Sequence, residues 1–203
     1  MLKYQGIHHL AMATNDMDGT IRFWRDLLGM RLVAGLGKAG ARQYFFEISA
    51  ISLLGFFEWK TVEPIPEKDH GYPAQGPMVF DHVSFEVESD EDLWILKENL
   101  DAGGFWVSEI IDHGFIHSLY SFDPNGIAIE FSSSVEKVDL CKHPMMLDAD
   151  PTQVTREGPE PLPGKWPPVE DRTPPDERRI YPGEGLEFVQ GAKKNWFKHP
   201  WER

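Results

Sequence analysis

Between Ile111 and Glu130 the chain gathers four side chains able to do chemistry: His113, His117, Tyr120 and Glu130. The imidazoles exchange protons near neutral pH. The phenol of Tyr120 donates or accepts a hydrogen bond. Glu130 is the anomaly, because it interrupts an otherwise apolar run, Ile127 to Phe131. A carboxylate in such a run is costly unless it is partnered, so Glu130 demands a reason. Asp123, Pro124, Asn125 and Gly126 come in turn order between two runs of β-formers, and predict a hairpin that sets these groups on antiparallel strands.

The elements before this hairpin form a repeat. Residues 6–14 read as a strand with Leu10 and Met12 on one face and His9, Ala11 and Ala13 on the other, with His8 opposite His9. Asn15 or Asp16 then caps a helix whose apolar stripe is Ile21, Trp24, Leu27 and Leu28, and Gly29 ends it. Strands follow at Leu32–Leu36, Arg42–Ile48 and Ile51–Trp59. Pro64, Pro66, Pro73 and Pro77 mark residues 60–77 as an irregular connector. Then the pattern restarts at an offset of 73, with His82 falling on His9, and Val83 and Phe85 on Leu10 and Met12. A helix over Asp90–Leu100 and strands at Phe105–Ile111, Ile116–Phe122 and Ile127–Ser132 complete the second unit. Each unit alone leaves a sheet face uncovered, and pairing the two solves that.

Composition bounds the rest. Of 16 prolines, 11 lie after residue 135, so the sequence divides into a regular body, 1–135, with units at about 6–59 and 79–133, and a proline-rich extension, 136–203. The body is long enough to bury about two thirds of its unfolded surface. In the extension, Trp166, Tyr181, Phe188, Trp196, Phe197 and Trp201 are spaced to anchor an extended segment on another surface, and Met145 and Met146 read as core filler. Cys141 is the single cysteine, which rules out an intrachain disulfide framework. The net charge is −13, of which −11 falls in residues 1–135, and an acidic body repels phosphate backbones and anionic lipid. Neither nucleic acid nor a membrane is therefore expected as a partner. No apolar run approaches 18 residues and nothing near Met1 reads as a signal segment, which predicts a soluble, cytoplasmic protein.

The stretch Ile7 to Leu10, the helix end Phe23 to Met30, the second Asp81-His82-Val83 and the hairpin Tyr120 to Glu130 together resemble the vicinal oxygen chelate superfamily, over residues 6 to about 133. That superfamily contains glyoxalases, extradiol dioxygenases, epimerases and bleomycin- or fosfomycin-resistance proteins. The resemblance implies an α+β fold in which two paired βαβββ units form a cup-shaped mixed sheet around a divalent metal. It also implies a homodimer, with the extension packing on a second subunit. By position the implied ligands are His9 and His82 from the first strands and Glu130 from the last. The remaining slot falls on Leu54, which cannot ligate, unless the register slips by four and Glu58 fills it, giving the two-His, two-Glu set of glyoxalase I. Two imidazoles and one carboxylate suit Fe(II) and oxygen chemistry, with Mn, Ni or Zn as other occupants.

The hairpin resembles more narrowly the extradiol ring-cleavage signature, which places a histidine (His113), an apolar-Tyr pair (Leu119-Tyr120), an Asp-Pro-x-Gly turn (Asp123 to Gly126) and the ligand Glu130 in this order. The implied substrate is an aromatic diol. The implied roles are acid and base for His113, with His117 in reserve on the same face of a continuous strand, and a hydrogen bond to the substrate oxygen for Tyr120. Extradiol enzymes of this lineage carry a further metal-free pair of units, whereas this chain has one pair. A glyoxalase-type lyase or isomerase using Ni or Zn, and a bleomycin-resistance-type binding protein without chemistry, are the other activities the resemblance allows.

Overall fold

The computed structural model describes residues 7–38, 40–68, 70–71 and 80–140, with 142–145, 147, 149, 153, 155–165, 167–182 and 186 beyond them. Pro73, Pro77, Val79, Cys141, Met146, Trp166, Phe188, Trp196, Phe197 and Trp201 lie outside the described residues. The chain falls into two compact units, Met1–Pro144 and Met145–Arg203. Among its described residues the second contains one short 3-10 turn, Thr155–Glu157, and no strand. No helix among the described residues is long and apolar enough to cross a membrane.

The first unit holds the repeat. Strand β1 (His9–Thr14) leads into helix α1 (Met17–Ile21), which continues as a π-helical segment, Arg22–Leu27, and then into β2 (Leu32–Lys38), β3 (Ala41–Ser49) and β4 (Ser52–Glu58). The second half runs β5 (Val83–Val87), α2 (Asp90–Ala102), β6 (Ile111–Asp112), β7 (Ile116–Phe122) and β8 (Ala128–Ser134). These strands make two four-stranded mixed sheets in the same order, β1-β4-β3-β2 and β5-β8-β7-β6, with the first and fourth strands of each repeat parallel. Both β1 and β5 are edge strands.

Local chemistry explains the elements. Asp16 is the α1 cap and accepts from the Gly19 amide. In the π-helical turn the Leu28 amide donates to the Phe23 carbonyl at 3.0 Å, and this wider winding buries Phe23 as well as the predicted Trp24. Ser89 and Asp92 form a capping box at the start of α2. The expected strand over Phe105–Ile111 shortens to β6 and one bridge, Val107 to Ser121. Side-chain bonding replaces part of the missing ladder: the Tyr120 amide donates to Ser108 Oγ at 2.9 Å, and the Ser121 hydroxyl donates to the Trp106 carbonyl.

A single core joins the two halves. Trp24, fully buried, lies 5.9 Å from Phe56 of the first sheet and 5.5 Å from Phe85 of the second. Phe46, Leu54, Leu119, Ile129 and Phe131 belong to the same core. Burying each such side chain contributes about 1.5–3 kcal/mol. The Asp123 to Gly126 turn is tied into it as well. Asp123 accepts from the Asn125 and Ile127 amides and from Trp24 Nε1, and burial pushes its carboxyl above the ordinary value. Gly126, at φ +76, is required: a Cβ there would stand 2.1 Å from the Ile65 carbonyl oxygen of the connector.

Candidate functional site

Glu130 is 3 % exposed, yet its neighbours Ile129 and Phe131 are the residues of β8 that enter the core. Strand alternation therefore turns Glu130 to the opposite face of the second sheet. There it sits directly across from Tyr120 in the β7–β8 register, and its Oε1 accepts a short hydrogen bond from Ser118 Oγ. His82, at the foot of β5, brings Nε2 to 2.8 Å from Glu130 Oε2. The other ring nitrogen, Nδ1, donates to Asp81 Oδ1 at 2.6 Å. Lys68, His82 and the Gly71 amide hold the Asp81 carboxyl well below its usual range.

This arrangement passes a simple test for a cation. With Nδ1 hydrogen-bonded to Asp81, Nε2 is the His82 atom that faces the Glu130 carboxylate oxygen, which is a lone-pair donor. A proton or a metal ion must lie between them, and a carboxylate behind the second nitrogen is the usual support for a metal-ligating imidazole. The residues fit a divalent metal.

His113 and Tyr120 are also brought together: His113 Nε2 lies 3.0 Å from the Tyr120 hydroxyl. Gly114, at φ +82, bends the chain between β6 and β7, and the His113 amide closes the turn on the Ile116 carbonyl at 2.9 Å. Burial, then the negative charge of Glu130, raises the Tyr120 hydroxyl above its ordinary pKa, so it stays protonated as a donor. The same turn breaks the strand continuity that would set His117 beside His113. His117 instead faces α2, with Nδ1 2.9 Å from Asp90 Oδ1 and Oδ2, and Asp90 raises its pKa.

His70 joins the site without any signal in the sequence. It comes from the proline-containing connector, donates from Nε2 to the Ile129 carbonyl at 3.0 Å, and lies 4.6 Å from the Tyr120 ring and 5.7 Å from the His82 ring. Burial pushes its pKa below the ordinary imidazole value. Trp106 and Phe122 complete an aromatic wall around it. A connector's path has no periodicity to read, so a lone histidine there looked like any other loop residue.

His9 stands elsewhere. It is exposed, with Nδ1 2.9 Å from His8 Nδ1, and meets the edge of Phe45. A bend at His8 turns that ring round the strand, against the alternation expected of neighbours. Leu10 and Met12 pack on the core, so the His9 face of the first sheet, like the Glu130 face of the second, looks away from it. One core lies between the two faces, and a single chain does not bring His9 to Glu130. Accordingly, among the described residues no three His, Cys, Asp or Glu side chains are grouped to hold a metal ion.

The parallel registers also settle what stands in the first repeat where Glu130 stands in the second. Ser84 pairs with Glu130, and its repeat mate Ala11 pairs with Gly55, so the position belongs to Gly55 rather than Leu54. Glu58 pairs with Thr14, on the core-facing side of β4, where it takes Arg42 Nη1 at 2.8 Å and the Gly40 amide at 3.0 Å. It is occupied by these partners and lies five residues along the strand pair from His9, about 16 Å at strand rise.

Two βαβββ repeats, each offering a histidine at its first strand, with a carboxylate on the last strand of the second, define a vicinal oxygen chelate protein. The family model described as the Glyoxalase/Bleomycin resistance protein/Dioxygenase superfamily matches residues 6–131, and the chain belongs to that superfamily. A glyoxylase/bleomycin resistance protein/dioxygenase domain from Frankia sp. EAN1pec is similar in structure, with TM-score 0.55, 21% identity, and coverage of 70% of this chain and 100% of that one. The fosfomycin resistance protein FosX from Mesorhizobium loti has TM-score 0.50 and 16% identity over 66% of this chain and 96% of its own. An integron cassette protein from the Halifax Harbour sewage outfall metagenome has TM-score 0.49 and 24% identity over 64% of this chain and 99% of its own. At these identities the likeness is one of fold. No curated protein matches the chain.

Proposed function

We propose that the protein is a divalent-metal enzyme of extradiol type, cleaving a catechol-like aromatic beside its two oxygens, with Fe(II) as the preferred metal. The observation that carries this reading is the His113–Tyr120 pair, 3.0 Å apart, with Tyr120 directly across from Glu130 in the β7–β8 register and His113 in the turn before β7. His82 and Glu130 hold the metal from one chain, and His9 of a second copy completes a two-His, one-carboxylate set, because the two faces point away from a common core within one chain. The dimer is therefore part of the proposal. A metal in such a set, when bound, supplies Lewis-acid and redox chemistry towards a chelating diol and O₂.

The chain's own residues have separate tasks. Tyr120 donates a hydrogen bond to one oxygen of the bound diol, and its raised pKa keeps the phenol protonated further into alkali than an ordinary tyrosine. As the diol binds, the Tyr120 hydroxyl passes its proton to His113 Nε2 and takes the diol's in its place, and His113 returns a proton to the opening ring by the reverse relay. His70, Trp106 and Phe122 form an aromatic wall beside Tyr120, against which the ring of the diol packs. The overall reaction balances without a reductant: one ring C–C bond breaks and both atoms of O₂ enter the product. His117, held by Asp90 on the other face, has no part in it.

Protein purified anaerobically and loaded with Fe(II) is expected to consume one O₂ per catechol and to form a yellow ring-opened product. Ni(II)- or Zn(II)-dependent isomerisation of a thiol adduct, with no oxygen uptake across a catechol panel, would replace this reading by the lyase one. Tight binding without turnover would replace it by sequestration.

A further inference from the structure

The first repeat lacks the carboxylate that the second has, and the structure shows what stands there instead. Gly55 takes the position of Glu130, and Phe45, its directly opposed partner on β3, lays its ring over it. A Cβ on Gly55 would lie 3.1 and 3.2 Å from two carbons of that ring, closer than packed side chains ordinarily come. The same ring meets His9 at 6.0 Å between centroids and an interplanar angle of 85°. Phe45 is only half-buried and is not part of the hydrophobic core, so its packing with the core does not account for it.

The surroundings are matched to a flat ligand. Ala11 shares the His9 face and leaves it shallow. Phe57, two residues beyond Gly55 on the same face of β4, stacks on Trp59 at 5.3 Å and 14°. An imidazole of the proposed metal set thus opens onto a floor of small residues flanked by aromatic rings. Aromatic rings favour edge and offset contacts with another ring, and a planar aryl group fits such a space better than a flexible aliphatic one.

We infer that Phe45, seated on Gly55, fills the fourth-ligand position of the first repeat and is the specificity wall against which the aryl part of the substrate packs beside His9. This rests on the metal site proposed above. It assigns a role to two residues that bind neither the metal nor the reacting oxygens.

Two chelators with the same metal-binding head test it: benzohydroxamate, which carries a phenyl ring, and acetohydroxamate, which carries a methyl. The full chain loaded with Co(II) is titrated with each and followed by visible absorption. The wild type is expected to favour benzohydroxamate by about tenfold or more. Phe45→Ala is expected to bind acetohydroxamate as the wild type does and to lose the aryl preference, while Phe45→Tyr keeps it. Gly55→Ala, whose new methyl group displaces the ring by a few tenths of an ångström, is expected to weaken benzohydroxamate selectively. An equal aryl preference in wild type and Phe45→Ala overturns the inference, as does no preference in the wild type. If the wild type takes up neither metal nor hydroxamate, the metal reading fails and the inference with it. If Phe45→Ala loses the preference but catechols are not cleaved, the wall stands and only the ring-cleavage reading falls.

Discussion

Glu130→Ala and His82→Ala are each expected to purify folded and to lose stoichiometric metal. Both side chains lie off the core: Ile129 and Phe131 of β8 carry the packing, and Glu130 faces the other way with Ser118, Tyr120 and His82. Removing the carboxylate leaves the Ser118 hydroxyl without its acceptor, a cost of about 1–3 kcal/mol against the folded state. It also removes a buried negative charge, which offsets part of that cost. The metal effect is larger. Replacing an outer-shell support such as Asp81 typically weakens a metal about 10–100-fold, and loss of a direct ligand exceeds that. Metal analysis of the two variants after equilibration with Fe(II), beside their circular dichroism, checks the expectation. Full metal content in either variant would remove that residue from the set.

The second large effect separates binding from chemistry. His113→Ala and Tyr120→Phe are expected to keep the metal and to lower the rate of ring cleavage by about 10²–10⁴-fold, the range of a positioned acid or base. Tyr120→Phe removes a hydroxyl that sits 3.0 Å from His113 Nε2 and leaves the ring against His70 and His82. Its stability is therefore expected to change little. Because burial and the Glu130 charge raise the Tyr120 pKa, the wild-type hydrogen bond fails only as the phenol ionises, at a more alkaline pH than for an ordinary tyrosine. The Phe variant should lack that alkaline limb. Steady-state oxygen uptake across pH, with metal content measured in parallel, gives the result. Unchanged turnover in both variants would mean that the hairpin only shapes the site.

Much of this was legible in the residues because the repeat is. The offset that lays His82 on His9 survives as two sheets with one strand order, and the stripe around Trp24 survives as the shared core. What the residues did not disclose depends on pairing and on path. Aligning strand ends put Leu54 opposite Glu130, whereas the hydrogen-bonded register puts Gly55 there, and a shift of one residue reverses the face. His117 was read on an unbroken strand, but the Gly114 turn breaks it and gives His117 to Asp90. His70 arrives through the connector. The expected cup depends on which faces the core leaves free, a tertiary property that alternation within one strand cannot supply.

The most direct measurement of the central claim, a metal site shared between two copies of the chain, is complementation. His9→Ala and His82→Ala chains, each unable to hold metal alone, are mixed in equal amounts, dissociated and allowed to reassociate. In a two-fold dimer half the dimers are mixed, and each mixed dimer carries one site with both mutations and one with neither, so about a quarter of the wild-type metal content and activity should return. No recovery, from chains shown by light scattering to have exchanged partners, would contradict the account and return the site to a single chain.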